Sequence, residues 1–441
     1  MYSSRPTCDM DSPSSLEPTF IMRLKDVFTP GGQPSVTYVS RDHLDLEAAI
    51  KKVLEQGYTL NVVTGPTKSG KTVLCTRVLE GGYKHVVVEG GQIRSETDFW
   101  NNLAHQLNIA ETAQRGKTVS DGAQTVSNVS GGIPAVLNAG VNQTFSSGTQ
   151  NVTTATYTNN TMLAVIEAMK RDNIALLVDD FHYISKDVQK NIIQALKGPV
   201  YKGLAVIFLA VPHRAFDPIT VEDELQGRFR HVTIPSWSLD DLAKIPDLGF
   251  AALNIECAKS LRDRICAESF GNPLLVQEIC SEICARSNIY ERGLKTVKLD
   301  ASLLHPTLAT VAESKGFPKY RKLKGGPQAR KERKARRLKD GSTADIYEAL
   351  MIALGALGPK PRTHYDELRG ALRELLDEGQ LPQKHEITSA LAHMSKIAHE
   401  NIDGEPPLEF VRSEDALVIT DPFLLFYMKW QKEKISPGAK H

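Results

Sequence analysis

No run of about 18 consecutive apolar residues occurs in this sequence, which excludes a predicted membrane-spanning helix. Residues 1–26 lack the apolar segment of a secretory signal and are expected to form a disordered lead-in. An excess of either charge is also missing, because 53 basic and 52 acidic residues give a formal net charge of +1. The chain as a whole is therefore not attracted to DNA or to anionic membranes, and we expect a cytoplasmic protein without membrane contact.

Cysteines are few, and none of the six forms a CxxC pair. Cys280 and Cys284 are four residues apart on a predicted helix, with no histidine at metal-binding spacing. This pattern favours reduced thiols in the core of a cytosolic protein. The sequence also lacks a nuclease-type metal cluster and a nucleophile paired with histidine, so the effector is expected to be a partner protein.

The stretch GPTKSGKT, from Gly65 to Thr72, has the spacing of a phosphate-binding P-loop. Its glycines let backbone N–H groups curl around a β-phosphate, Lys71 reaches the β- and γ-phosphates, and the Thr72 hydroxyl ligates Mg²⁺. A predicted strand (59–64) enters the loop, and a predicted helix (71–80) leaves it with its positive end towards the anion. We predict binding of ATP and Mg²⁺ through residues Gly65, Pro66, Thr67, Lys68, Ser69, Gly70, Lys71, Thr72 and Val73.

A second element for the metal follows the apolar run IALLV, which is typical of a buried parallel strand. Asp179 ends this run and is predicted to hold Mg²⁺, directly or through water. Asp180 follows where many ATPases place a glutamate that polarises the attacking water. Aspartate is one methylene shorter than glutamate, which leaves the rate of hydrolysis open.

Strands and helices alternate around these two motifs, which predicts an α/β fold with a parallel sheet and helices on both faces. A ligand is then expected at the carboxyl ends of the strands. The predicted strand LAVIFLA ends before His213 and Arg214, and Arg214 is the stronger candidate for a γ-phosphate sensor. Further on, Arg228 follows a glycine and is favoured over Arg230 as an arginine that reaches a nucleotide in a neighbouring subunit.

Taken in order, GPTKSGKT, LLVDDFHYI, the strand ending in PHR, the GRF segment and GNPL resemble the AAA+/STAND class of P-loop ATPases. The resemblance covers roughly residues 27–286, and it implies that Pro273 in a helical lid and Arg41 in an N-terminal linker contact the nucleotide. No guanine-specific NKxD motif is present, which favours ATP over GTP. The implied domains are an ATPase core (27–240), a lid (241–318), a basic linker (319–340) and a winged-helix domain (341–435).

Two segments have unusual compositions. Residues 116–161 are rich in Ser, Thr, Asn, Gln and Gly, and form either a flexible polar insertion or a β-hairpin arm in which residues 152–157 are one strand. Residues 319–338 are strongly basic, and either bind a nucleic-acid backbone or form a solvated linker or helix between domains, with its arginines satisfied by the ATPase domain.

The C-terminal part of the sequence predicts three helices (345–357, 364–376 and 387–400), two short strands and a last helix after Asp421-Pro422, which together indicate a winged helix. The third helix carries Lys396 as its only lysine, so packing on the nucleotide site is favoured over DNA reading.

These features support three hypotheses. The first is an ATP-hydrolysing molecular switch whose nucleotide state controls homo-oligomerisation or partner engagement, with a role in bacterial defence or stress signalling as an extension. The second is a nucleic-acid-binding AAA+ ATPase of the initiator or transposition-regulator type. The third is a nucleotide-binding scaffold without hydrolysis.

Overall fold

In a computed structural model of the protein, the described residues are 22–109, 153–211, 229–328, 332–358, 360–402 and 406–435, with the backbone alone for 153–160 and 431–435. Most of the predicted lead-in and of the polar insertion therefore lies outside the description, as do residues 212–228. In the part of the chain that is described, no helix is long and apolar enough to cross a bilayer.

A five-stranded sheet has its strands in the order β2-β3-β4-β1-β5, and every neighbouring pair is parallel. The strands are β1 (Leu60–Thr64), β2 (His85–Glu89), β3 (Ala175–Asp179), β4 (Val206–Ala210) and β5 (Phe229–Thr233). The inner strands β3, β4 and β1 are almost wholly buried, as the continuous apolar runs predicted. The predicted parallel α/β sheet is thereby confirmed.

Helices cover both faces of this sheet. These helices are α2 (Leu46–Gln56), α3 (Lys71–Glu80), α4 (Glu96–Gln106), α5 (Thr153–Arg171) and α6 (Lys186–Val200). The short helix α1 (Leu24–Val27) precedes them in the chain and packs elsewhere in the fold. Alternate residues of each strand face opposite layers: Phe208 packs with Trp100 of α4 and Met169 of α5, whereas Leu209 packs with Ile50 of α2 and Leu79 of α3. The sheet is therefore the middle layer of three.

Helix α4 follows the N-cap residue Ser95. The Asp98 N–H donates to Ser95 Oγ at 3.1 Å, and the Ser95 N–H donates to Asp98 Oδ2 at 2.9 Å. This reciprocal capping box satisfies two backbone donors at the helix start.

The strand predicted over residues 152–157 is wrong from residue 153 onwards, because α5 begins at Thr153. The β-branched threonines favoured a strand, but the amphipathic helix that packs against the sheet through Val165 and Met169 continues in the N-terminal direction through them. The hairpin-arm hypothesis loses one of its two strands, and residues 110–152 lie outside the described part.

A helical unit follows the sheet. It contains α7 (Leu239–Ala252), β6 (Ile255–Glu256), α8 (Lys259–Glu268), α9 (Pro273–Arg286) and β7 (Val297–Lys298). Helix α1 packs on this unit, because Leu24 and Val27 are buried in its core and Phe28 meets Phe250 edge to face. Residues 22–26 are thus placed as structure, contrary to the disordered lead-in predicted for them. Cys257, Cys266, Cys280 and Cys284 lie here as free thiols, and all but Cys257 are buried.

The remaining elements form a C-terminal unit. They are α10 (Leu304–Val311), a π-helical turn (Ala312–Gly316), α11 (Phe317–Gly325), β8 (Arg336–Arg337), β9 (Thr343–Ala344), α12 (Ile346–Ala356), β10 (Arg362–His364), α13 (Tyr365–Leu375), α14 (Lys384–Glu400), β11 (Leu408–Val411), β12 (Ala416–Ile419) and α15 (Pro422–Ile435). Strands β10, β12 and β11 make an antiparallel sheet in that order. The sequence prediction missed β10, whose three residues are too few to show an alternating pattern.

The π-helical turn brings the backbone before α11 against α15. A Cβ added at Gly316 would lie 2.4 Å from both Phe423 O and Tyr427 Cβ, so only glycine permits this approach. The contact holds the N-terminal turn of α15 beside the linker.

Gly316→Ala is expected to lower the free energy of unfolding by about 1–3 kcal/mol, because the methyl group meets backbone that cannot rotate away. Chemical denaturation of the purified variant measures this change. Gly325→Ala is the matched control, since nothing lies within 4 Å of a Cβ at that position of α11. Equal stability of the two variants would contradict the close contact.

Candidate functional site

The loop Gly65–Thr72 runs from the end of β1 to the start of α3, as predicted. Gly70 has a φ of +90°, a region that favours glycine, and a Cβ there would meet no atom within 4 Å. At Gly65 a Cβ would lie 2.9 Å from Ile234 O, so close packing of the loop on the chain after β5 requires glycine. The two glycines thus serve different purposes.

The predicted metal-binding pair lies together. Thr72 Oγ1 donates to Asp179 Oδ2 at 2.5 Å, and Asp179 Oδ1 accepts from the Asp180 N–H at 2.8 Å. Strand β4 lies between β1 and β3, so the contact between Thr72 and Asp179 passes over the carboxyl end of β4. A hydroxyl and a carboxylate oxygen are ligands that Mg²⁺ prefers.

The Lys71 side chain is buried beneath the loop. Its Nζ donates to Gly65 O at 3.1 Å and to Pro66 O at 2.9 Å. The ammonium group is therefore held at the mouth of the loop by carbonyl oxygens of the loop itself.

Asp180 follows β3 with a φ of 50°, a left-handed conformation that aspartate tolerates better than most residues. Its carbonyl oxygen would be 2.4 Å from a Cβ at Gly90, so this glycine lets the chain after β2 approach it. Asp180 borders the same cavity as Asp179 and Lys71.

This cavity has a volume of ≈ 550 Å³, within the range of about 300–1,000 Å³ usual for small-ligand sites. The predicted residues Arg41, Val73 and Pro273 also line it, so the N-terminal segment, the loop and α9 enclose one space. Ser69 Oγ is buried and forms no hydrogen bond among the described residues, which leaves a polar group for a ligand to satisfy. The oxygen ligands of Thr72 and Asp179, the volume of the cavity and the unsatisfied Ser69 hydroxyl fit a nucleotide with Mg²⁺.

Arg41 lies in the wall of the cavity and is 4% exposed. Its guanidinium stacks over the Trp237 ring at 4.5 Å and donates to Pro235 O at 3.1 Å. Burial lowers the pKa of Arg41, and Asp241 opposes this effect. Trp237 Nε1 in turn donates to Ser69 O at 2.8 Å, so Trp237 joins Arg41 to the loop. The sequence prediction gave Trp237 no role.

Asn272 connects α9 to the loop. Its Nδ2 donates to Thr67 O and Lys68 O, each at 3.3 Å, while its Oδ1 accepts from the Leu275 N–H at 3.2 Å. The same side chain thus caps α9, which has Pro273 at its first turn, and binds the loop.

The C-terminal unit reaches the loop as well. Lys68 Nζ lies 3.1 Å from Asp421 Oδ1 and 5.0 Å from the centre of the Phe423 ring. Asp421 is 2% exposed and also pairs with Lys319 of α11. No sequence motif signals this contact, because its members are hundreds of residues apart.

Several predicted residues are not brought to the site by the described structure. His213, Arg214 and Arg228 lie outside the described residues, so their roles stay predictions. Arg230, the weaker alternative, is on β5 and donates to Gln56 Oε1 at 2.6 Å. Among the described residues, no group of three or more His, Cys, Asp or Glu side chains is arranged to hold a metal ion.

The basic run 319–338 is extensively paired within the C-terminal unit. Arg333 binds Asp345 at 2.6 Å, and Arg336 binds Glu386 at 2.7 Å and Gln380 O at 2.8 Å. Lys324 pairs with Glu348 at 2.7 Å. These contacts favour the linker with internally satisfied charges, although the partners come from the C-terminal unit and not from the ATPase core.

No protein-family model and no curated protein matches this sequence. Among solved structures, the chain is similar to a Walker-type ATPase of Pyrococcus abyssi, with a TM-score of 0.52 and 11% identity over 90% of this chain and 100% of that chain. It is also similar to the ORC1 protein of Aeropyrum pernix in complex with DNA (TM-score 0.47, 9% identity, covering 95% and 98%). A third is Cdc6p from Pyrobaculum aerophilum (TM-score 0.43, 13% identity, covering 94% and 99%).

The likeness to the Pyrococcus abyssi protein confirms the predicted fold class, a P-loop ATPase fold with a parallel sheet. The AAA+ class, the STAND class and the winged helix stay predictions.

Arg336→Met is expected to lower the free energy of unfolding by about 1–3 kcal/mol, because it leaves Glu386 and the Gln380 carbonyl without a buried donor. The adjacent Arg337→Met is the control. The Arg337 side chain is 69% exposed and lies 3.5 Å from Asp377, so its loss should cost about 0.5 kcal/mol or less. Urea unfolding compares the two. If Arg336→Met leaves the free energy of unfolding unchanged but weakens nucleic-acid binding, the result would support the alternative in which residues 319–338 bind a nucleic-acid backbone.

Proposed function

We propose that this protein is an ATP-binding and ATP-hydrolysing molecular switch whose nucleotide state controls self-assembly or engagement of a partner protein. One observation carries this proposal. The loop Gly65–Thr72 lines the cavity, and the same loop is bound by Asn272 at the start of α9 and by Asp421 just before α15. A ligand in the cavity therefore acts on the loop that the two other units contact.

In this proposal the loop's own backbone N–H groups and Lys71 bind the phosphates. Lys71 would exchange the carbonyl oxygens of Gly65 and Pro66 for phosphate oxygens, which are stronger acceptors because they are charged. Thr72 and Asp179 would hold Mg²⁺, which supplies neutralisation of the phosphate charge when bound. Arg41 and Pro273 line the same cavity and are proposed to contact the rest of the nucleotide.

Hydrolysis is assigned to Asp180, which would orient water from its place beside Asp179. Arg214 is proposed as a sensor of the γ-phosphate, and Arg228 as a residue that reaches the site of a neighbouring subunit in a homo-oligomer. Both arginine roles come from the sequence.

The switch requires that ATP and ADP contact the lid and the C-terminal unit differently, since a ligand shifts an equilibrium only by its differential affinity. We propose that α7–α9 act as a STAND-type lid and that α12–α14 with β10–β12 form a winged helix that senses nucleotide and does not read DNA. Internal pairing of Arg333 and Arg336 supports this choice. A role in bacterial defence or stress signalling rests on the family resemblance alone.

Lys71→Ala is expected to weaken ATP binding roughly tenfold or more, because it removes a charged donor to the phosphates. Titration calorimetry with ATP and Mg²⁺ measures this loss. Lys84→Ala, which changes an exposed lysine before β2, should bind as the wild type does. If Lys71→Ala binds ATP normally, the loop is not the nucleotide site. Tight wild-type binding without phosphate release would select the non-hydrolysing scaffold.

Particle mass is expected to increase with a non-hydrolysable ATP analogue and not with ADP, because only the triphosphate state would expose the assembly surface. Light scattering at low micromolar protein measures this mass, and the mass of Lys71→Ala should not change with the analogue.

Arg228→Ala should bind the analogue yet hydrolyse ATP more slowly in the assembly. An unchanged mass in every nucleotide state would contradict self-assembly and leave engagement of a partner protein as the output.

A further inference from the structure

Asp421 joins three parts of the chain. Its Oδ1 lies 3.1 Å from Lys68 Nζ in the loop, and its Oδ2 contacts Lys319 Nζ of α11. The same Oδ1 accepts a hydrogen bond at 2.8 Å from the Phe423 N–H in the first turn of α15. One buried carboxylate therefore connects the loop, the linker helix and the last helix.

This carboxylate is charged at neutral pH. Burial alone would raise the pKa of Asp421, but the ammonium groups of Lys68 and Lys319, together with hydrogen bonds from Lys319 and Phe423, lower it overall. A buried anion of this kind is stable only while a cation accompanies it. The contact is thus an ion pair with a strict requirement for at least one lysine.

Lys68 also borders the cavity. It lines the same space as Ser69, Gly70 and Lys71, and its side chain is 25% exposed. A lysine ammonium is a compact charge on a flexible four-carbon stem, so it can turn from one anion to another without moving the backbone. Lys68 therefore contacts Asp421 and also lines the cavity in which nucleotide phosphates are proposed to bind.

We propose that Asp421 competes with nucleotide phosphates for Lys68, so that the Lys68–Asp421 pair is an autoinhibitory contact which a nucleoside triphosphate weakens. This rests on the proposed function, since it requires the loop to bind nucleotide. Coupling between two sites is reciprocal, so the pair lowers triphosphate affinity by the same factor by which triphosphate loosens α15 from the loop. After Lys68 leaves, Lys319 still accompanies the buried carboxylate, which keeps the released state accessible.

Asp421→Asn isolates the charge. An asparagine keeps the side-chain size and the acceptor for the Phe423 N–H, but it removes the anion that holds Lys68. Asp415→Asn is the matched control in the same unit: Asp415 pairs with Lys384 at 2.7 Å, is 46% exposed, and has a left-handed φ that asparagine adopts readily. Both variants remove one carboxylate charge.

In titration calorimetry with a non-hydrolysable ATP analogue, Asp421→Asn is expected to bind at least about fivefold more tightly than the wild type. Asp415→Asn is expected to bind with the affinity of the wild type. ADP should gain less, because it brings one phosphate fewer. Unchanged or weaker analogue binding by Asp421→Asn overturns the competition while leaving the proposed function intact. A wild-type protein that binds neither nucleotide overturns both.

Hydrogen exchange on the wild-type protein gives a test that needs no variant. Saturating analogue should speed exchange of the backbone amides of Phe423–Phe426 in the first turn of α15, and the Asp421→Asn protein should exchange them fast without nucleotide. Slower or unaltered exchange at these amides in the analogue-bound wild type overturns the proposal.

Discussion

Three distant parts of the chain bind the loop between β1 and α3, two through hydrogen bonds and one through an ion pair, and the rest of the structure depends on these contacts. Trp237 binds the Ser69 carbonyl, Asn272 binds the carbonyls of Thr67 and Lys68, and Asp421 binds the Lys68 side chain. A P-loop has to keep its N–H groups pointing inwards, so its carbonyl oxygens face outwards and need donors. Asn272 in the helical unit and Trp237 in the segment after β5 supply those donors.

This arrangement makes the loop a shared surface. Each outside contact is modest, since a neutral hydrogen bond contributes about 1 kcal/mol in net terms. Together they fix the position of the helical unit and the C-terminal unit relative to the loop. A small change in the loop on the cavity side is then transmitted to both units, because packed interfaces shift between discrete arrangements and do not deform continuously.

Local patterns allowed the loop, the sheet and most helices to be predicted, because each depends on residues close in sequence. The pairing of Thr72 with Asp179 agrees with the two motifs, which predicted both residues as ligands of one Mg²⁺. The contacts of Trp237, Asn272 and Asp421 with the loop could not be predicted, since they join residues more than 160 positions apart. The threonines before Met162 misled the prediction for a related reason: helix α5 is selected by packing against the sheet, which overrides local strand propensity.

Helix α11 and the π-helical turn before it determine how α15 could leave the loop. The π-helical turn Ala312–Gly316 admits the Phe423 carbonyl so closely that α11 and α15 share backbone contact, and Lys319 adds an ion pair to Asp421. Lys68 contributes a single side chain to the same carboxylate from across the interface. Separation between α15 and the loop therefore breaks fewer contacts than separation between α15 and α11. Because the weaker boundary gives way first, α11 and α15 should move as one body, with the buried charge of Asp421 still paired within it.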